Sequence, residues 1–139
     1  MSQQNVEIVQ AMFEAWNAKD MDAVRDFYDA DVIARPAEHW PEPGPFVGRE
    51  AVMRSYEQLR EAWDADTLEP ISDFIDVVDR VVVRAIWRGI GHGPESTMEI
   101  THVFTVRNGR IFYQESFWEH AQALETVGLS EKDAQADPS

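Results

Sequence analysis

Four side chains in this sequence carry groups able to do chemistry in a sheltered setting: His102, Arg35, Tyr56 and His39. His102 falls in the run Thr97 to Arg107, where strand alternation gives it one face with Met98, Ile100, Phe104 and Val106. An imidazole titrates near neutral pH, so on such a face it can donate or accept a proton. A core histidine bonded to a neighbour fits the same pattern. Arg35 comes just before Pro36. A guanidinium cannot abstract a proton, but it can clamp a carboxylate or an enolate oxygen. Its ordinary alternative is a salt bridge to Glu38 or another nearby acid. Tyr56 lies mid-helix, where its hydroxyl either polarises a ligand oxygen or is satisfied within the core. His39 belongs to the cluster Glu38-His39-Trp40, in a loop, where it is either exposed or assists His102. His92 in a turn and His120 at the start of the last helix read as surface residues.

Other chemistries are disfavoured by what the sequence lacks. There is no cysteine, so disulfides, thiolate zinc sites and cysteine nucleophiles are excluded. No His-x-His, His-Glu-x-x-His or calcium-loop pattern occurs, and no metal is expected. Without a Gly-x-Gly-x-x-Gly or a P-loop, no nucleotide or other cofactor is implied. The net charge of −14, from 26 acids against 12 bases, repels phosphates and anionic lipid headgroups. Nucleic acid and membrane partners are therefore not expected. No apolar run is long enough to span a bilayer, and the polar stretch Met1 to Asn5 leads straight into an amphipathic pattern, so the expected location is the cytoplasm.

The elements that must position these groups follow from the periodicity. With 139 residues, of which 44% are hydrophobic, the chain fits one domain with a real core. Val6, Val9, Met12, Phe13 and Trp16 form one helical stripe. Asp20 caps a second short helix, in which Val24, Phe27 and Tyr28 share a face. Asp29-Ala-Asp31 reads as a turn and Val32 to Arg35 as a short strand. Residues 36–48 contain four prolines and read as a loop with no regular element. A third helix runs from Arg49 to about Trp63. The period then changes from 3.6 to 2, giving strands at Leu68 to Asp76, Val81 to Gly91, Thr97 to Arg107 and Arg110 to Trp118. Asn108-Gly109 is a strong hairpin signal. A last helix, Glu119 to Val127, stops at Gly128. The domain is taken as residues 1–129, and 130–139 as a polar, flexible tail. The implied fold class is α+β: a curved antiparallel sheet wrapped around N-terminal helices, leaving a conical cavity suited to a small molecule.

This order of elements resembles the NTF2-like superfamily, and more closely its SnoaL-like and ketosteroid-isomerase-like branch. The resemblance is carried by Glu7-Ile-Val-Gln-Ala-Met-Phe-Glu-Ala-Trp-Asn-Ala-Lys-Asp20, by Glu42-Pro-Gly-Pro-Phe-Val-Gly-Arg-Glu-Ala-Val52, by Asp79-Arg-Val-Val-Val83 and by His102-Val-Phe-Thr-Val-Arg-Asn-Gly-Arg-Ile111. It implies a cone whose inner face includes His102, Gln114 and Trp118, with Val83, Ala85 and Trp87 contributed by the preceding strand. Ile111, Tyr113, Glu115 and Phe117 then share the other face. Arg84, Ile86 and Arg88 lie outside, where relatives form dimers. His102 matches the position where steroid isomerases place a hydrogen-bonding acid beside the substrate oxygen, and Tyr56 matches a tyrosine of their buried network. Arg35 replaces their carboxylate base and Met12 their oxyanion tyrosine, so steroid-type isomerisation is not implied. His39 with His102 is similar in residue type to the two imidazoles of scytalone dehydratase.

The expected pocket lining is Met12, Trp16, Phe27, Trp40, Val83, Trp87, Ile100, Phe104, Gln114 and Trp118. With five Trp, seven Phe and three Tyr in the chain, the ligand expected is a flat hydrophobic ring compound. Two functions follow. One is a cofactor-free acid/base enzyme of isomerase, cyclase, dehydratase or epoxide hydrolase type, acting on a hydrophobic cyclic metabolite. The other is a non-catalytic binder or dimeric scaffold that has lost the family's base. The apolar residues Val103, Phe117 and Ile86 on the outer sheet face point to a homodimer.

Overall fold

The protein was analysed as a computed structural model, which describes residues 2–91 and 93–130. His92 and the tail residues 131–139, for which surface and flexible roles were expected, lie outside the described residues. The helices are α1 (Ser2–Asn17), α2 (Met21–Asp26), α3 (Arg49–Glu61) and α4 (His120–Thr126). The strands are β1 (Tyr28–Arg35), β2 (Phe46–Val47), β3 (Ala65–Pro70), β4 (Ile75–Val77), β5 (Arg80–Ile90), β6 (Ser96–Arg107) and β7 (Arg110–Phe117). They form one sheet in the order β2-β1-β7-β6-β5-β3, with β4 also pairing β5. All pairs are antiparallel except β1 with β7, which is parallel.

Local chemistry explains most of the boundaries. The predicted cap of α2 is present: the Asp20 carboxylate accepts from the Ala23 N–H at 3.1 Å. Asn108 and Gly109 both take positive φ, 52° and 78°, the geometry that lets a two-residue turn match the twist of β6 and β7. Val6, Val9, Met12, Phe13 and Trp16 are all buried, so the α1 stripe is the face that meets the sheet.

Four readings of the sequence are corrected. Tyr28 to Asp31 extend β1 rather than ending a helix and forming a turn, with an irregularity in the β1–β7 register between Tyr28 and Ile33. The Pro-rich loop contains the two-residue strand β2, paired to Ile33 and Ala34. The single strand expected from Leu68 to Asp76 is two strands. Pro70 ends β3, and Ser72 bridges the gap by accepting the Arg84 N–H on its hydroxyl at 2.9 Å. Ile111, assigned to the outer face, is fully buried in the inner core. The cause is a bulge: Val106 faces Ile111 but Thr105 faces Tyr113, so Phe112 is an extra residue in β7.

The main core lies between α1, α3 and the inner sheet face. A smaller cluster lies on the outer face, where Ala123, Leu124 and Val127 of α4 pack on Val82 and Val103, with Phe117 beside them. Val103 and Phe117 are therefore covered by the chain's own last helix. Ile86 is left half-buried between Arg84, which is paired with Glu99, and Arg88.

The end of α1 is fixed to the sheet edge by one side chain. Asn17 donates to the Leu68 carbonyl and accepts the Leu68 N–H, both at 2.7 Å. This occupies backbone groups on an edge strand that would otherwise stay open. Asn17→Ala is expected to lower the unfolding free energy by about 1–2 kcal/mol, read as a lower urea midpoint at unchanged slope. An unchanged midpoint would show that the clamp contributes nothing.

Candidate functional site

Between the helices and the inner sheet face lies a cavity of about 110 Å³. Met12 and Trp16 of α1, Ser55, Tyr56 and Leu59 of α3, and Ala34 and Tyr28 of β1 border it. The sheet adds Leu68, Trp87, Met98, Ile100, His102, Phe104, Gln114 and Ser116, and Arg35, Pro36, Ala37, Trp40 and Phe46 complete the lining, the first four also bordering a neighbouring groove. Alternation explains which side chains share the inner face: Val83, His102 and Ser116 are directly opposed across β5, β6 and β7, as are Val81, Phe104 and Gln114, and of these the β6 and β7 residues reach the cavity.

His102 is half-buried, and its Nδ1 lies 2.8 Å from the Ser116 hydroxyl. Its ring packs 5.6 Å from that of Phe104. Burial lowers its pKa from 6.5 to about 4, because an apolar surround disfavours the cation. At neutral pH the ring therefore carries one N–H and one lone pair. Ser116 engages Nδ1, and Nε2 makes no hydrogen bond to a described residue.

Next to it, Gln114 Oε1 accepts from the Tyr28 hydroxyl at 2.8 Å and from the Tyr56 hydroxyl at 3.0 Å. The two hydroxyl oxygens are themselves 3.0 Å apart. Burial, with the neighbouring Tyr56 adding to it, pushes Tyr28 well above 10, and burial raises Tyr56 as well. Both phenols stay protonated through the neutral range and act by hydrogen bonding.

The other wall is built around Asp66, which is 4% exposed. Its Oδ2 accepts the indole N–H of Trp16 and of Trp87, each at 2.9 Å, and its Oδ1 lies 3.0 Å from Arg60 Nε. The Arg60 guanidinium also sits 4.9 Å from the Trp16 ring centre.

The remaining expected residues divide as follows. By register Arg35 pairs with Glu115, the residue next to Gln114, while Ala34 is opposite Gln114 itself, and Arg35 borders both the cavity and the groove outside it. His39 is exposed, with φ +66°, and its imidazole is 3.6 Å from Glu38. It lines that groove rather than the cavity. Trp118 lies in the same groove, just past the end of β7, where its indole N–H donates to the Glu38 carbonyl at 2.6 Å and its ring meets Trp40 at 6.3 Å. Phe27 and Val83 belong to the core around the cavity and do not border it.

Sequence reasoning missed Tyr28, Asp66 and Ser116 as site residues. Tyr28 was hidden because it continues a helical stripe. Asp66 precedes the first alternating residues, and its two indole partners are 50 and 21 positions away. Ser116 shares a predicted face with Gln114, and that alternation was the signal available. Among the described residues no group of three or more His, Asp or Glu side chains is placed to hold a metal ion. None of the described helices is long and apolar enough to cross a membrane.

A model of the SnoaL-like domain matches residues 9–114, and the chain belongs to this family, within the NTF2-like superfamily. Curated proteins provide no sequence match. Solved structures share the fold over 79–92% of the chain. An NTF2-like protein of unknown function from Burkholderia pseudomallei has a TM-score of 0.73 at 23% identity, covering 92% of this chain and 99% of its own. TerC, co-crystallised with polyporic acid, has a TM-score of 0.72 at 20% identity, covering 89% and 98%. A Sinorhizobium meliloti protein whose polyketide cyclase assignment is itself provisional has a TM-score of 0.65 at 27% identity, covering 79% and 93%.

The lowered pKa of His102 has a stability consequence with a definite sign. Above pH 6.5 the ring is neutral in the folded and unfolded chain and contributes nothing to pH dependence. As pH falls from 6.5 toward 4, the unfolded chain takes up a proton that the folded chain refuses, so stability is lost. His102→Gln is expected to remove a loss on the order of 2 kcal/mol between pH 7.5 and 4.5, measured as the difference between the two proteins' urea midpoints. Equal losses in both proteins would mean that the ring is solvated.

Proposed function

We propose that this protein binds a small hydrophobic ring compound and acts on it without a cofactor, with neutral His102 as the proton acceptor. The observation that carries the reading is the setting of His102: an imidazole with Nδ1 engaged by Ser116 and Nε2 without a protein partner among the described residues, in a cavity with mostly apolar walls. When the Ser116 hydroxyl accepts from Nδ1–H, the lone pair is on Nε2 and can take a proton from a bound molecule. The Tyr28, Tyr56 and Gln114 cluster supplies polar groups for an oxygen of the same molecule.

The size of the cavity supports a ring-sized moiety. An apolar cavity of about 150 Å³ accepts benzene, and this one is about 110 Å³ and shares Arg35, Pro36, Ala37 and Trp40 with the neighbouring groove. The co-crystal of TerC with polyporic acid supports a ligand of the small-molecule class in a fold of this kind. Isomerisation, cyclisation, dehydration and epoxide opening all remove a proton at one atom and deliver one at another; the imidazolium formed when His102 accepts a proton can return it to the product carbon or the departing oxygen, so all remain in the class. Arg35 and His39 are given no role at the reacting atoms: Arg35 stands where the cavity meets the outer groove, and His39 lines that groove alone.

A second reading, a ligand binder without turnover, is favoured by one feature. A ring whose pKa has fallen to about 4 is always free to accept a proton at neutral pH but holds it weakly.

The experiment is a turnover screen of ring ketones and epoxides, followed by a pH profile on any active compound. If His102 is the acceptor, kcat/KM is flat from pH 6 to 8 and falls as pH drops through about 4 to 5, and His102→Ala lowers kcat by on the order of 10²-fold or more. Turnover unchanged in His102→Ala would eliminate the assigned base. Saturable binding without turnover of any compound would favour the binder.

A further inference from the structure

We propose that Asp66 is a specificity-determining residue: by occupying both indole N–H groups of the cavity wall, it restricts the site to rings whose oxygens lie along one edge. This rests on the ligand site proposed above and names the class of molecule that site takes.

Hydrogen-bond donors and acceptors are distributed unevenly around the cavity. Trp16 and Trp87 border the cavity, and an indole offers one polar group, its N–H. Both N–H groups are bound by the same oxygen of Asp66 at 2.9 Å. The other Asp66 oxygen is held by Arg60 at 3.0 Å, so the carboxylate is committed away from any ligand. What the two indoles present to the cavity is carbon. Their neighbours in the lining, Leu59, Leu68, Met98 and Ile100, add no hydrogen-bonding side-chain group beyond a thioether.

The polar groups are gathered elsewhere. His102 is on β6, Gln114 and Ser116 on β7, and Tyr28 on the adjoining β1, whereas Trp87 is on β5 and Leu68 on the edge strand β3. On α3, Tyr56 packs its ring on Trp16 at 5.2 Å but commits its hydroxyl to Tyr28 and Gln114, and the Ser55 hydroxyl donates to the Val52 carbonyl. The cavity is therefore polar toward the β7–β1 side of the sheet and hydrocarbon toward the β5–β3 side. A hydroxyl placed against the indoles would lose its water and gain no partner, which is costly in an apolar site. The same hydroxyl against His102 or the tyrosines would be satisfied. A ring with oxygens at both ends cannot satisfy both. A structural role for Asp66 alone, holding α1 to β3 and β5, would not dictate which end of a ligand faces which wall.

The test uses 4-ethylphenol and 4-hydroxybenzyl alcohol, which have the same shape and differ by a terminal methyl in place of a hydroxyl. Both are titrated into the full chain by NMR. Expected are at least fivefold tighter binding of 4-ethylphenol, contacts from its ethyl group to the rings of Trp16 and Trp87, and indole N–H signals of both residues that stay protected from solvent exchange. Asp66→Ala frees these N–H groups and makes room for a hydroxyl or a water, so the preference should fall at least threefold. If that variant does not fold, the orientation of 4-ethylphenol in the unaltered protein still decides. A smaller preference, an ethyl group seated against His102, or an unchanged preference in folded Asp66→Ala would overturn the inference while leaving the ligand site intact. Failure of both probes to bind at millimolar concentration would instead remove the ligand site, and the inference with it.

Discussion

The extra residue in β7 decides which side chains meet His102. A two-residue turn at Asn108-Gly109 pairs Arg107 with Arg110, and without interruption that register would set Glu115 opposite His102. Phe112 breaks the count, so Ser116 stands there and Gln114 stands opposite Phe104. A hydroxyl and an amide thus face the cavity, and Glu115 is turned outward in register with Arg35. A carboxylate beside the imidazole would favour its charged form. With a neutral serine there, desolvation goes unopposed and the ring stays neutral. The two tyrosines depend on the same shift, because their common acceptor is Gln114.

Around that register the fold provides two different answers to the problem of polar groups in a hydrophobic interior. On the β7 side the groups satisfy one another and still leave capacity toward the cavity. On the β5 side Asp66, Arg60 and two indoles close on themselves. The contrast follows from valence: two phenols and an amide sharing few protons remain adaptable, whereas a carboxylate held by two N–H groups and a guanidinium has both oxygens engaged. Both clusters lie between helices and sheet, so each also ties α1 or α3 to the strands.

Much of the frame was legible in the residues. Periods of 3.6 and 2 located every helix and the long strands, and Asn108-Gly109, Asp20 and Gly128 marked their ends because each meets a local backbone requirement. The family membership rests on the same local patterns. What escaped were features set by non-local geometry. A bulge carries no composition signature at Phe112, so Ile111 was placed on the wrong face. Tyr28 fits a helical stripe and a strand equally well, and tertiary pairing with β7 decided between them. Asp66 is one acid among many until two indoles from distant segments reach it. Arg35 was read from its place beside Pro36, but the side chain's direction depends on a parallel register that sequence does not disclose. Trp118 was assigned to the cavity and His39 to a loop beside it, in reach of His102, whereas their neighbours place both in the groove outside.

The account turns on a neutral imidazole held by a hydroxyl in an apolar hollow. A titration of the chain with ¹³C,¹⁵N-labelled histidine, followed through the ring nitrogens of His102, tests this directly. The account predicts one protonated nitrogen from pH 8 down to about 5, a midpoint near 4, and perturbation of the Nδ1 signal alone in Ser116→Ala. A midpoint near 6.5, with both nitrogens indifferent to Ser116, would contradict it.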